Sequence, residues 1–247
     1  LAGLSFNIQP VKASEKIYIK DDGSIDPPTA QIQRDGDLYT LTDDITSNTD
    51  GIVIERDNMT LDGANHILQG TRWGGKGIIL IERLNVTIKN IEIREFYCGI
   101  FLFYSSYNNI LENRITNNFP GILFSYASKN SIVGNNITEN DYGIGLSTFS
   151  FNNNVSRNTI EANTVYGIWI HYRSEHNIVT ENNIIANKNY GISIIQSSNN
   201  NLIFHNNFVN NTHQTFTSDS VNVWDDGYPS GGNYWSDYKQ RYPNATE

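Results

Sequence analysis

The sequence predicts an all-β protein folded as a right-handed parallel β-helix, and three observations support this fold class. The 247 residues include 35 Asn and 32 Ile, which suits short strands joined by polar turns, because Asn forms helices poorly and β-branched Ile favours strands. Each repeat contains three short apolar–polar alternations separated by turn residues, and therefore three strands. The dipeptide Gly-Ile recurs in steps of 22, 22, 22, 24 and 24 residues, starting at Gly77, Gly99, Gly121, Gly143, Gly167 and Gly191.

The interior of the β-helix is predicted from apolar columns that repeat with the same period. Equivalent residues of successive coils should lie about 4.8 Å apart, one above another. One interior column is Ile110, Ile132, Val155, Ile178 and Leu202, and another is Ile115, Ile137, Ile160, Ile184 and Phe208. Asn columns at the bends should tolerate left-handed backbone and bond to their neighbours above and below. These are Asn113, Asn135, Asn158, Asn182 and Asn206, and then Asn118, Asn140, Asn163, Asn187 and Asn211.

We predict four segments along the chain. Residues 1–13 are either the remnant of a signal peptide or an apolar N-terminal arm. Residues 14–50 form an N-terminal cap, and residues 51–211 form the parallel β-helix. Residues 212–247, which are rich in Trp and Gly, form a C-terminal cap. Caps are expected because the open end of a coil stack is an unpaired strand edge.

Composition excludes several classes of function. The net charge is −9, from 17 basic and 26 acidic residues without a basic cluster, which argues against nucleic acid as a partner. No apolar run reaches the roughly 18 residues of a membrane helix. A single cysteine, Cys98, excludes a disulfide framework and a cysteine-based zinc site, and one Met leaves little soft-ligand material for copper. We therefore predict no metal site and no cofactor.

Outward-facing aromatic side chains are the candidate binding residues. If Ile100 and Leu102 point inward, alternation turns their neighbours outward. The predicted binding residues on this face are Phe101, Phe103, Tyr104, Tyr126 and Trp169, with His171 and Tyr172 beside them. A flat row of aromatic rings suits stacking against the apolar faces of sugars, so polysaccharide is the predicted partner. Alternatively, a loop or the C-terminal segment covers the face, or another protein molecule contacts it.

Catalytic residues are harder to identify. A glycosidase needs two carboxylates about 5–9.5 Å apart, whereas Glu112 and Glu181 are three coils, or roughly 14 Å, apart. The one dense cluster contains His171, Tyr172 and Arg173. In a uronate lyase or C5-epimerase, His or Tyr could move the C5 proton while Arg neutralises the carboxylate. The alternative is a solvated turn with ordinary polar residues.

The repeat G-I-x-L, N-x-I, N-x-I resembles the NosD-like, carbohydrate-binding and sugar-hydrolase class of parallel β-helix repeats over about residues 50–211. Residues 61–70 are similar to the entry coil of that class, and residues 223–238 to the ending of secreted archaeal members. The resemblance implies an extracellular or cell-surface protein. It also implies calcium in tails that continue into an Asp/Gly-rich segment, but this sequence offers no calcium-ligand motif. Members include lyases, epimerases, hydrolases, accessory factors and surface proteins, so activity does not follow from the repeat.

Three functional hypotheses remain. The first is an exported protein that binds polysaccharide on its aromatic face, and the second is a uronate-polysaccharide lyase or C5-epimerase. The third is a structural surface protein that self-associates through the apolar N-terminal arm or the ends of the coil stack. Six sequons fit an exported glycoprotein, and they lie at Asn58, Asn85, Asn136, Asn154, Asn210 and Asn244.

Overall fold

The computed structural model describes residues 16–72 and 74–244. Within these ranges the chain forms a right-handed parallel β-helix of about nine turns, which confirms the predicted fold class. The predicted signal remnant or arm, residues 1–13, lies outside the described residues. The one α-helix among the described residues is α1 (Tyr238–Arg241).

Three sheets run along the long axis of the β-helix. The first sheet contains β1 (Ile17–Ile19), β2 (Ile25–Asp26), β6 (Ile52–Ile54), β9 (Lys76–Ile81), β12 (Cys98–Phe103), β15 (Pro120–Ser125), β18 (Tyr142–Ser147), β21 (Tyr166–Ile170), β24 (Tyr190–Ile194) and β27 (His213–Thr217). The second contains β3 (Ile32–Asp35), β4 (Leu38–Leu41), β7 (Met59–Asp62), β10 (Val86–Lys89), β13 (Asn109–Leu111), β16 (Ser131–Val133), β19 (Asn154–Ser156), β22 (Ile178–Thr180) and β25 (Leu202–Phe204). The third contains β5 (Ile45–Thr46), β8 (Ile67–Gln69), β11 (Glu92–Arg94), β14 (Arg114–Thr116), β17 (Asn136–Thr138), β20 (Thr159–Glu161), β23 (Asn183–Ile185), β26 (Asn207–Val209) and β28 (Tyr234–Trp235).

The coil stack extends beyond the predicted limits of residues 51 and 211. Strands β1, β4 and β5 already form a first coil, because each pairs in parallel with the next coil. Strands β2 and β3 pair antiparallel with β1 and β4, so residues 16–50 combine a coil with two hairpins. These hairpins lengthen the coil and hide the repeat from a search for a fixed period. At the other end, β27 and β28 continue the first and third sheets.

The interior is filled by the predicted Ile columns, with one correction. Ile115, Ile160 and Phe208 are fully buried, as predicted. The prediction was wrong for Ile178 and Leu202, which point outward, while Val179 and Ile203 occupy the interior column below Val155. The inward position is the second residue after a buried Asn. In these two coils the first residue after the Asn is also apolar, so the sequence alone did not show which of the two apolar residues points inward.

Three ladders of buried Asn side chains join the coils at the bends. Two were predicted, and the third, beside the first sheet, is Asn108, Asn130, Asn153, Asn177, Asn201 and Asn222. In every ladder the backbone N–H and Nδ2 of one Asn donate to Oδ1 of the Asn in the next coil. For Asn135 and Asn158 these distances are 2.9 and 3.0 Å. Each amide therefore satisfies backbone groups that would otherwise be buried without a partner.

Left-handed backbone lies one residue before each ladder Asn except Asn222, and not at the Asn itself. Glu112, Arg157 and Glu181 have φ of 54°, 56° and 57° and precede ladder residues. The predicted role of Asn as the left-handed residue was therefore wrong. The preceding residue makes the bend, which leaves the Asn side chain free to point inward and bond along the stack.

The Gly of the Gly-Ile repeat is needed where successive coils approach closely. A Cβ on Gly143 would lie 2.5 Å from the carbonyl oxygen of Gly167, and one on Gly167 would lie 2.5 Å from that of Gly191. Real side chains do not tolerate such a distance. Gly is therefore required at this position of the repeat, because any side chain would clash with the backbone of the next coil.

Replacing Asn158 by Ala should lower the free energy of unfolding by about 3 kcal/mol. Its Oδ1 accepts two hydrogen bonds from Asn135, and its Nδ2 donates to Ile132 O, Ser156 O and Asn182 Oδ1. Loss of the amide leaves several of these buried groups without partners. Urea denaturation measures the change.

The matched control is Asn136→Ala, at an exposed position of β17. It should change the free energy of unfolding by less than about 0.5 kcal/mol. Equal effects of the two substitutions would show that the ladder does not stabilise the stack.

Candidate functional site

The predicted aromatic residues lie on the outer face of the first sheet. Ile100 and Leu102 are fully buried, whereas Phe101 and Phe103 are half-buried and turned outward, as alternation predicted. The outward column through Phe101 is Ile79, Phe101, Leu123, Gly145, Trp169 and Ser193. The register therefore matches the sequence prediction along this face.

Four of the five predicted binding residues meet in one group, which we call the N-terminal aromatic cluster (Phe101, Phe103, Tyr104, Tyr126 and Phe149). The rings of Tyr104 and Tyr126 stack at 4.6 Å between centroids, and Phe101 stacks on Phe103 at 6.0 Å. Tyr104 remains 51% exposed. The sequence did not identify Phe149, which lies 5.8 Å from Tyr126 and follows it by about one repeat.

The fifth predicted residue, Trp169, belongs to a separate group, the C-terminal aromatic cluster (Tyr142, Tyr166, Trp169, His171 and Tyr172). Trp169 lies 5.3 Å from Tyr142 and 5.9 Å from Tyr166 between ring centroids. Tyr142 and Tyr166 also contact each other, with 5.5 Å between ring centroids. Tyr172 is 51% exposed.

Small side chains lie between the two clusters. Gly145 pairs with Trp169 on one side and with Leu123 on the other, and Ser125 pairs with Ser147. Phe101 and Trp169 are in the same column three coils apart, which is roughly 14 Å at the spacing of paired strands. The face therefore has an aromatic cluster at each end, and the small side chains at its centre project less far from the sheet.

As far as residue 244, the C-terminal segment extends the first sheet by β27 but does not cover Tyr104 or Tyr172. Its strand β28 pairs with β26 in the third sheet, and Val223 bridges to Leu202 in the second. Trp235 stacks on Phe208 at 4.5 Å and closes the end of the interior. The segment thus covers the end of the stack, and Tyr104 and Tyr172 keep half of their surface in contact with solvent.

His171 is enclosed within the C-terminal aromatic cluster. Its ring stacks on Trp169 with 3.4 Å between centroids and 7° between planes, and the residue is 4% exposed. Neither ring nitrogen has a hydrogen-bond partner, and the same is true of Trp169 Nε1. Burial lowers the pKa of His171 to about 4; the Gln196 amide opposes this shift, although its geometry falls short of a hydrogen bond. The imidazole is therefore neutral at neutral pH.

The three predicted catalytic residues differ in their surroundings. His171 is packed against Trp169, with the Tyr172 ring 4.8 Å away. Tyr172 and Arg173 are exposed on a turn, where both have left-handed backbone. A catalytic role for these residues stays a prediction.

Among the residues that the structure describes, carboxylates do not gather on the aromatic face. Glu112 and Glu181 occupy one column, each following a strand of the second sheet, and are three coils apart as predicted. Glu139 and Asp141 line a pocket of about 70 Å³ with Arg72 and Phe119 at a bend between the third and first sheets. A second pocket with two carboxylates and an arginine, Asp21, Glu55 and Arg83, lies beside β6 and β9 of the first sheet.

One group of side chains could hold a cation among the described residues. Ligand atoms of Asp43, Asp44 and His66 lie within 4.8 Å of one another at the surface. Asp44 Oδ1 already accepts the N–H of Ile67 at 2.9 Å, which ties one coil to the next. The sequence did not single out this group, although His66 follows Asp44 by one repeat. Cys98 is buried, and burial raises the pKa of its thiol to about 12.

The predicted glycosylation sites lie at the surface with one exception. Asn58, Asn85, Asn136, Asn210 and Asn244 are exposed, and Asn154 is half-buried. Modification of these residues stays a prediction. Across the two described ranges, no helix has the length and apolar character needed to cross a membrane.

The burial of His171 predicts a specific pH dependence of stability. Above pH 6.5 the ring is neutral in both the folded and the unfolded chain. Between pH 6.5 and 4 the unfolded chain binds a proton that the folded chain does not. The free energy of unfolding therefore decreases as the pH is lowered through this range. The loss should reach about 2 kcal/mol at about pH 5.

The variant His171→Phe preserves a ring against Trp169 and removes the titration. It should lose about 2 kcal/mol less stability than the wild type between about pH 7 and 5, as measured by urea denaturation. His176→Gln, at an exposed position five residues later, is the control and should behave like the wild type. Identical pH profiles for His171→Phe and wild type would contradict the buried, neutral imidazole.

Solved structures with the same fold were found by structural comparison. The Dettilon tailspike protein matches with a TM-score of 0.68 at 17% identity, over 93% of this chain and 48% of its own. The periplasmic alginate epimerase AlgG matches at 0.61 and 18%, over 73% and 50%. Endopolygalacturonase I from Stereum purpureum, complexed with two galacturonate, matches at 0.55 and 17%, over 80% and 68%. The chain thus spans about half the length of the first two, and these low identities show the fold alone.

Sequence comparisons give the family. Curated proteins provide no significant match to the chain. The family model described as "Periplasmic copper-binding protein (NosD)" matches residues 30–240, which is most of the chain. The chain therefore belongs to the NosD family.

Proposed function

We propose that this protein is an exported β-helix protein that binds polysaccharide on the outer face of the first sheet. The observation that carries the proposal is the pair of aromatic clusters on an open face, with Tyr104 and Tyr172 each half exposed. The periplasmic description of the family supports export. The names of two structural neighbours, an alginate epimerase and an endopolygalacturonase complexed with galacturonate, agree with a carbohydrate ligand.

The shape and chemistry of the face favour a sugar polymer. Sugar rings have apolar faces and polar rims, so they stack on aromatic rings while their hydroxyls stay hydrated or bond to nearby side chains. The two clusters are arranged along the long axis of the β-helix, which gives an extended chain more than one stacking position. Hydroxyls of Ser125 and Thr148 lie between them and can bond to sugar hydroxyls.

Binding without cleavage is the form of the proposal that the geometry favours. Retaining and inverting glycosidases need paired carboxylates within about 9.5 Å. Glu112 and Glu181 are too far apart, and Glu139 and Asp141 share a cavity at a bend beside the first sheet rather than on its aromatic face. His171, one of the two predicted proton-transfer residues, has both ring nitrogens enclosed. A base must reach the proton that it removes, so the lyase or epimerase hypothesis requires either that His171 leaves its stack on Trp169 or that the exposed Tyr172 transfers the proton.

The sulfur donors in residues 16–72 and 74–244 do not form a Cu(I) site. Cu(I) prefers thiolate and thioether ligands, but Cys98 is buried with a raised pKa and Met59 is 3% exposed in the interior. The group of Asp43, Asp44 and His66 offers two carboxylates and one imidazole without sulfur. The proposed function therefore rests on the aromatic face and not on a Cu(I) site.

Removing the Tyr104 ring should weaken polysaccharide binding. Tyr104→Ala removes a stacking surface from the N-terminal aromatic cluster and should raise the dissociation constant about tenfold, or about 1.4 kcal/mol. The measurement is retardation of the purified protein in gels that contain neutral or uronate polysaccharides.

Tyr107→Ala is a closely matched control for this experiment. Tyr107 is also 51% exposed with left-handed backbone, but it lies at the bend beyond the sheet, where it contacts Lys129. It should bind like the wild type. Equal losses in the two variants would overturn the assignment of the face.

The same gels separate the alternatives. Shortened polymer, or a changed C5 configuration in a retained uronate polymer, would favour the lyase or epimerase, and His171→Ala should then abolish the change. No retardation by any polymer would favour a structural protein, and negative-stain imaging would then show filaments if it self-associates.

A further inference from the structure

We infer that the outer face of the first sheet selects uncharged polysaccharides and rejects polyuronates. This inference rests on the proposed function, because it names the ligand class of the same face. It is carried by the absence of charged side chains from the centre of the face. Four outward columns across five coils contain no Lys, Arg, Asp or Glu. The members of these columns are Cys98, Pro120, Tyr142, Tyr166 and Tyr190; Phe101, Leu123, Gly145, Trp169 and Ser193; Phe103, Ser125, Ser147, His171 and Ile195; and Tyr104, Tyr126, Thr148, Tyr172 and Gln196.

His171, Cys98 and Tyr142 add no charge to these columns at neutral pH. Burial lowers the pKa of His171 to about 4, so its ring is neutral. Burial raises the pKa of the Cys98 thiol to about 12 and also raises that of the Tyr142 hydroxyl. The centre of the face therefore carries neither a cation nor an anion.

Among the described residues, the charged groups nearest this area stand at its borders, and Asp141 beside Tyr142 is one of them. At the N-terminal border, Lys76 Nζ lies 5.1 Å from the centre of the Phe101 ring, with Glu82 in the same coil. Asp219 continues the column of Gln196 in the last coil, and Arg173 is on the turn beyond Tyr172. A polymer on the central columns would meet none of these groups along most of its contact.

This arrangement disfavours a uronate for a physical reason. A carboxylate that leaves water needs charge-assisted hydrogen bonds, usually from Arg or Lys, to offset its lost hydration. The central columns offer hydroxyls, such as those of Ser125 and Thr148, and the Gln196 amide, which suit neutral sugar hydroxyls. The net charge of −9 repels polyanions in addition.

The direct test uses polymers that share a backbone and differ in charge. The probes are polygalacturonate and its methyl ester, and alginate and its carboxyl-reduced form, each incorporated into gels. For at least one pair, the protein should bind the uncharged member at least about tenfold more tightly. Added salt should leave this binding unchanged, because no ion pair is formed.

Variants that place a cation on the face provide the reciprocal test. Gln196→Lys at an exposed position, and Ser125→Lys near the centre, should each increase retardation by polygalacturonate at least about tenfold in low salt. Two positions are used so that one misfolded variant, detected by circular dichroism, does not decide the test.

The outcomes distinguish the inference from the proposed function. Equal or tighter binding of the uronate members by the wild type would overturn the inference and leave polysaccharide binding intact. Failure of both lysine variants to gain affinity, when folded, would also overturn it. If the wild type binds none of the four polymers and no other polysaccharide, both the inference and the proposed function fail.

Discussion

The ladders of buried Asn side chains are the interaction on which the rest of this structure depends. At each bend the chain changes direction, and its backbone groups leave the regular pairing of the sheets. Asn is suited to this position, because one amide can accept from the coil before it and donate to both neighbouring coils, as Asn158 does. Within the low-dielectric interior such a fully satisfied network is strong, and a partly satisfied one would be costly.

The ladders also explain why a functional face can form. Because they hold successive coils in register, equivalent residues fall into straight columns, and a substitution in one repeat changes one position of a surface. In the first sheet, such single substitutions introduce large side chains at some positions and small ones at others. Phe101 and Trp169 place aromatic rings on the face, while Gly145 and Ser147 place small side chains in the middle of the same face. A face with a definite pattern thus arises from a repeat whose interior is nearly uniform.

The interior was largely predictable from the sequence, and the surroundings of single side chains were not. Columns such as Ile115, Ile137 and Ile160 follow from periodicity alone, because the stack requires them. The predicted register was wrong at Ile178, because Ile178 and Val179 are both apolar and either could have been the inward residue. The outward direction of His171 was predictable, but its burial was not, because it depends on how the Trp169 ring lies across the sheet. Likewise, a fixed period could not reveal a first coil that contains two hairpins.

The central claim is that the open aromatic face of the first sheet holds a polysaccharide. The most direct test is a crystal structure of the protein with a neutral oligosaccharide long enough to span both aromatic clusters. We predict sugar rings stacked on the N-terminal cluster at Tyr104 and on the C-terminal cluster at Trp169 or Tyr172. Density confined to another surface, such as the groove beside Trp224 and Trp235 at the end of the stack, would contradict the account.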